Sequence, residues 1–158
     1  MLKIGVILAA AFFESSFSNF WTWHGARPDF VLLLVVSSGL LEGPEAGLIN
    51  GAAGGVFLGL FSDSPSGIFL LSYGVIGWLS GFIRERIYAD TPLVSFLSSG
   101  VLTLLNLGLS HLLFFLFRGY SSLNLADLWW RILLFNLLFS FPVFFLYRRL
   151  VLSAKKQK

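Results

Sequence analysis

Glu14 is the residue in this chain that most needs a chemical explanation. It follows an apolar run from Ile4 to Phe13, which places it about 15 Å along a helix that starts at Ile4. A carboxylate at that depth in an apolar surrounding points to function and to a partner that satisfies it. Asn106, His111, Arg131 and Asn136 interrupt later apolar runs in the same way. Together they predict a polar intramembrane cluster, with Glu14 paired to Arg131 or His111, that could hold a small ligand. The alternative is that each group is satisfied separately, by backbone or by interfacial water.

Other chemistries find little support. His24 and His111 are far apart and have no ligand spacing around them, so no metal site is expected. Cysteine is absent, which removes disulfides, thiolate ligands and a thiol nucleophile. Ser153 and Lys156 match S-x-x-K, but they lie in a basic tail without the companion motifs of that class. The close glycines from Gly51 to Gly59 have no strand before them and no P-loop lysine after them, so they are not a phosphate cradle. With no visible set of acid, base and nucleophile, the chain is not expected to be an enzyme or to need a cofactor.

The strongest spacing in the chain is structural. Gly47, Gly51, Gly55 and Gly59 recur every fourth residue through AGLINGAAGGVFLGLF. In water each glycine costs about 1 kcal/mol of helix propensity. In a bilayer the backbone must bond to itself, so the run is helical regardless. The glycines then form a groove that another backbone can approach closely. After the polar break SDSPS, a second apolar run carries Gly67, Gly74 and Gly81 seven apart, with Gly77 nearby. Two readings follow: the glycines pack this hairpin, or their faces receive a helix from another protein.

Composition sets the class that positions these residues. The chain has 158 residues, 56% hydrophobic and 12% charged, including 18 phenylalanines, with a mean hydropathy of +0.83. That describes an integral membrane protein with a single all-α domain over 1–158. Six transmembrane helices are expected at about 3–21, 28–42, 46–61, 67–83, 93–117 and 128–147, followed by a basic tail at 148–158. The first reads as an uncleaved spanning helix rather than a signal peptide, because its apolar character resumes through Phe12, Phe13, Phe17 and Phe20. The second is short for a core of about 30 Å. It is a short crossing shielded by its neighbours, a buried helix or a re-entrant one, and the first is favoured. Pro28 opens it, and Asp29 sits in its first turn.

Six crossings put both termini on one side, and the positive-inside rule makes that side cytoplasmic. Lys3, Arg84, Arg86, Arg148, Arg149, Lys155, Lys156 and Lys158 then lie inside, against Arg27, Arg118 and Arg131 outside. Trp21, Trp23, Trp129 and Trp130 fall at the outer face as an aromatic belt, and the polar groups of the late helices lie in the outer half. The net charge of +3 reflects this topology. It does not indicate nucleic acid, because the basic residues form no patch with interleaved aromatics. The tail could touch anionic lipid head groups.

The order of features resembles MreD, the rod shape-determining membrane protein family of bacteria. Arg27-Pro28-Asp29 matches that family's R-P-[DN] entry into the second helix, and the stretch from Gly55 through Ser62-Asp63-Ser64-Pro65-Ser66-Gly67 matches its G-x-x-x-D-L-x-S-G-S-x-x-G junction of the third and fourth. There is one departure. The family's aspartate position falls on Gly59 and its loop glycine on Asp63, so the aspartate's role passes to Asp63 or is absent.

The resemblance implies a six-helix bundle like the S components of energy-coupling-factor transporters, in the bacterial cytoplasmic membrane. It also implies a non-enzymatic scaffold of the cell-elongation, peptidoglycan-building complex. The implied partners are MreC, through its transmembrane helix and membrane-proximal region, and also MreB, RodA and the RodA-associated transpeptidase. The eight glycines of helices three and four are the expected partner-binding surface. The alternative function is an S-component-like small-molecule-binding transporter subunit. Gly5 and Ala9 match only loosely the small-residue pair by which such subunits dock.

Overall fold

The computed structural model describes residues 2–16, 26–62, 66–86, 91–118 and 126–156. Among these residues the chain forms six helices: α1 (Leu2–Ser16), α2 (Phe30–Glu42), α3 (Pro44–Leu60), α4 (Ser66–Arg86), α5 (Pro92–Arg118) and α6 (Ala126–Lys156). Three of them, α4, α5 and α6, contain stretches long and apolar enough to cross a membrane, and α1 and α2 contain shorter apolar ones. Trp21, Trp23, His24 and Asp63 lie outside the described residues.

The helices are wrapped around α2. Every residue from Val31 to Leu41 is buried, and α2 packs against each of the other five helices. A helix that is apolar on all sides is either a lipid-facing span or a core element, and burial against all five neighbours makes α2 the core. Its 13 residues span about 20 Å, and its neighbours supply the rest of the thickness. This burial fits both a short crossing shielded by its neighbours and a buried helix. The start differs slightly from expectation: Asp29 stands outside the helix as its N-cap rather than in the first turn. At the far end α6 runs past Tyr147 and stays helical through Arg148 and Arg149 to Lys156.

The glycine spacing finds its use in the α3–α4 hairpin. A Cβ added at Gly47 would meet the Gly77 carbonyl, one at Gly51 the Tyr73 carbonyl, and one at Gly55 the Phe69 carbonyl. Reciprocally, a Cβ at Gly77 would meet the Gly47 carbonyl, and one at Gly81 the backbone of Pro44. The pairs run in opposite directions along the two helices, so the packing is antiparallel and nearly backbone to backbone. Gly74 has ordinary contact distances of 3.6–4.0 Å to Leu48 and Ala52, and Gly67 faces open space. Gly59 is buried in α3. Gly54 opens a second face of α3, where its Cβ would meet Val31 of α2 and Ile7 of α1. Gly43, at φ +106°, makes the sharp join between α2 and α3 in a backbone conformation other residues rarely adopt.

The other wall is α5 and α6. Leu93, Leu97, Val101, Leu104 and Leu105 of α5, and Leu134, Leu138, Phe141 and Phe145 of α6, are exposed. Their inner faces are polar: Ser95, Ser98, Ser99, Thr103 and Asn106 of α5 and Asn136 and Ser140 of α6 are buried. Leucine outside and hydroxyl inside is the arrangement expected where the solvent is hydrocarbon.

Gly51→Ala should destabilise the protein by about 1–3 kcal/mol, because the methyl group must displace a carbonyl on α4. Gly74→Ala should be close to neutral. Thermal unfolding of the two variants in detergent compares them directly.

Candidate functional site

The start of α2 is where the polar groups converge. A helix leaves its first N–H groups without intrahelical partners, and inside an apolar bundle water cannot serve them. Here side chains from two helices, α1 and α6, and the cap itself do. The Asp29 N–H donates to Asn136 Oδ1 at 2.8 Å. The Leu32 N–H donates to Asp29 Oδ1 at 2.7 Å. The Val31 N–H donates to Glu14 Oε2 at 3.2 Å, and the Phe30 N–H lies beside the same carboxylate. Two carboxylates at a helix N-terminus also match the sign of its dipole.

The acceptors are held in turn. Tyr73 donates its hydroxyl to Asp29 Oδ2 at 2.5 Å, and Asn136 Nδ2 donates to Thr103 Oγ1 at 3.1 Å. The network therefore ties α1, α2, α4, α5 and α6 together at one level. A smaller cluster closes the opposite end of α2, where the Tyr147 hydroxyl donates to Glu42 Oε1 at 2.5 Å, with Ser38 and Asn50 beside it.

A cavity of about 240 Å³ opens next to the α2 cap. Glu14, Ser15, Arg27 and Ser62 supply its polar wall, and the rings of Phe61, Phe69 and Tyr73 much of its apolar wall. Arg27 is exposed and acts on Glu14 electrostatically. Among the described residues no ion pair joins the two.

The expected polar cluster is thus divided. Glu14 and Asn136 meet at the α2 cap, through Asp29. The expected partners of Glu14 are replaced: α2 backbone donors bind its carboxylate, and Arg27 is the neighbouring cation. His111 packs edge-on against Trp129, with ring centroids 6.1 Å apart. Arg131 lies over the Trp130 ring at 5.3 Å. Both side chains find aromatic surface near the start of α6 instead. Asn106 is buried one turn beyond Thr103, and its Oδ1 meets no hydrogen-bond partner. Asp29, Tyr73 and Thr103 complete the network. Asp29 carried a signal, an aspartate directly before a long apolar run. Tyr73 and Thr103 carried none beyond their hydroxyls.

The glycine faces of α3 and α4 meet each other over part of their length. Gly47, Gly51 and Gly55 face α4, which fills their groove; a helix from outside would have to part the hairpin to reach them. Gly5 of α1 has nothing within 4 Å of its Cβ position.

A bundle of apolar helices with three spanning lengths and a polar network at helix depth defines a multi-pass membrane protein. The family profile of the rod shape-determining protein MreD matches residues 1–150, and the chain belongs to that family. The family is a shape-determining one and not a known enzyme family. No curated protein and no solved structure matches the chain.

Tyr73→Phe should cost about 1–3 kcal/mol, because it leaves a buried carboxylate oxygen without its donor. Asp29→Ala should cost more, losing the cap as well. The double variant should be less destabilised than the sum by about 0.5–3 kcal/mol. Unfolding midpoints of the three variants in detergent check this. Fully additive effects would break the network apart.

Proposed function

We propose that this protein is a non-enzymatic scaffold of the bacterial cell-elongation complex, embedded in the cytoplasmic membrane and bound to MreC. The family match over residues 1–150 carries this reading. MreB, RodA and its transpeptidase are the further members of the assembly in which it would act. Both termini lie in the cytoplasm in this proposal. The helix directions support that orientation: α4 ends and α6 finishes at the same end of the bundle, gathering Arg84, Arg86, Arg148 and Arg149 there, as the positive-inside rule requires.

The partner helix lies, in this reading, on the outer face of the α3–α4 hairpin. The glycines make that hairpin narrow and rigid and turn Leu48, Ile49 and Val56 of α3, and Leu71, Val75 and Trp78 of α4, outward. Leu48 and Ala52 cover Gly74 between the two ridges, which leaves a shallow track lined by small and branched side chains. The cavity beside Glu14 favours a second reading, a small-molecule-binding subunit of the S-component kind, and would serve a ligand whether or not MreC binds.

Ala52→Trp combined with Val75→Trp should abolish co-purification with MreC while membrane insertion persists. Leu104→Trp, on the exposed face of α5, should leave co-purification unchanged. Retention of MreC by the first variant would move the interface off the hairpin.

A further inference from the structure

The cavity at the head of α2 is lined by one acidic and one basic side chain, Glu14 and Arg27. Glu14 is half-buried on one side, and its known hydrogen bonds are to backbone N–H groups of α2. A carboxylate offers about four acceptor positions, so it keeps capacity for a donor in the cavity. Arg27 is exposed on the other side. Its planar fork of donors matches the geometry of a phosphate or carboxylate.

The rest of the lining narrows the cation. Phe61, Phe69 and Tyr73 present aromatic rings to the same space. Rings next to one carboxylate suit an organic ammonium, through cation–π attraction plus a charge-assisted hydrogen bond. They do not suit a hard metal ion, which wants six or more oxygens. Among the described residues no group of three or more histidine, aspartate or glutamate side chains converges. The surroundings are apolar: Phe12 and Phe13 of α1 and Leu60 and Phe61 at the end of α3 are exposed around this end of the bundle, where acyl chains can lie.

We propose that this cavity binds a zwitterionic ammonium–phosphate group of the phosphoethanolamine type. The ammonium sits against Glu14 and the three rings, and the phosphate sits on Arg27. The same group is offered by a phosphatidylethanolamine headgroup and by free O-phosphoethanolamine. The site uses Leu58, Phe61, Phe69 and Tyr73 at the ends of the hairpin helices, and the partner surface uses the hairpin's outward ridges.

The test is native mass spectrometry of the full chain released from nanodiscs of equal phosphatidylethanolamine and phosphatidylglycerol, whose headgroup has the phosphate but no ammonium. The wild type should retain phosphatidylethanolamine about tenfold over phosphatidylglycerol, the worth of one charge-assisted contact. Arg27→Gln, at an exposed position, should reduce retention of both lipids. Glu14→Gln should remove the preference between them. O-phosphoethanolamine that displaces the lipid identifies the free group as a ligand. Failure to displace it identifies the acylated lipid. Retention of the two lipids in their bulk ratio by the wild type would overturn the proposal. So would a preference that survives Arg27→Gln and Glu14→Gln unchanged. Arg27→Gln should leave MreC co-purification intact, which separates this site from the partner reading.

Discussion

The constraint on which the rest depends is the need to satisfy the first turn of a helix that has no water around it. α2 is apolar on every side and buried over nearly its whole length, so its unpaired N–H groups cannot be left to solvent. Asn136, Glu14 and Asp29 satisfy those of Asp29, Val31 and Leu32. Each unsatisfied group in such a place would cost several kcal/mol. The cap is therefore a condition for α2 being inside at all, and it fixes where α1, α4 and α6 must stand to deliver their side chains.

The glycine hairpin meets the remaining demand, which is space. With α2 in the centre, five helices have to fit around it, and α3 and α4 do so by closing to backbone contact along Gly47, Gly51, Gly55, Gly77 and Gly81. Gly39 of α2 joins the same seam, since its Cβ would meet Ser80 and the Gly77 carbonyl. On the other side α5 and α6 bury polar groups among apolar ones, with Asn136 donating to Thr103 between them and branched chains turned outward. One wall is thus packed tightly by small residues and the other bonded by polar ones. These are the two means of helix association left when lipid removes the hydrophobic drive.

Much of this was legible in the chain. Apolar run lengths gave the six helices and the shortness of the second, and the fourfold glycine spacing gave the hairpin. The side chains bonded to Glu14's neighbours were not legible, for a physical reason. Arg131 and His111 looked like partners because charge and depth matched, but a carboxylate near a helix N-terminus finds N–H donors at no cost in side-chain entropy. Arg131 and His111 instead had Trp130 and Trp129 beside them. Tyr73 sits among glycines on α4, and its hydroxyl reaches Asp29 only because that helix packs so closely. That is a tertiary fact with no local spacing to announce it. The motif Arg27-Pro28-Asp29 did point to the place: its aspartate is the cap, and its arginine lines the cavity.

For a shape-determining membrane protein, such a centre means that the outer faces can bind partners and lipid without holding the fold together. The most direct test of the account is photolabelling in bilayers with a lipid that carries a diazirine in its acyl chain, followed by mapping of the labelled residues. Label should fall on Leu97, Val101, Leu104 and Leu105 of α5 and on Leu134, Leu138 and Phe141 of α6, with none between Val31 and Leu41. Labelling of α2 at the level of α5 would contradict its central place.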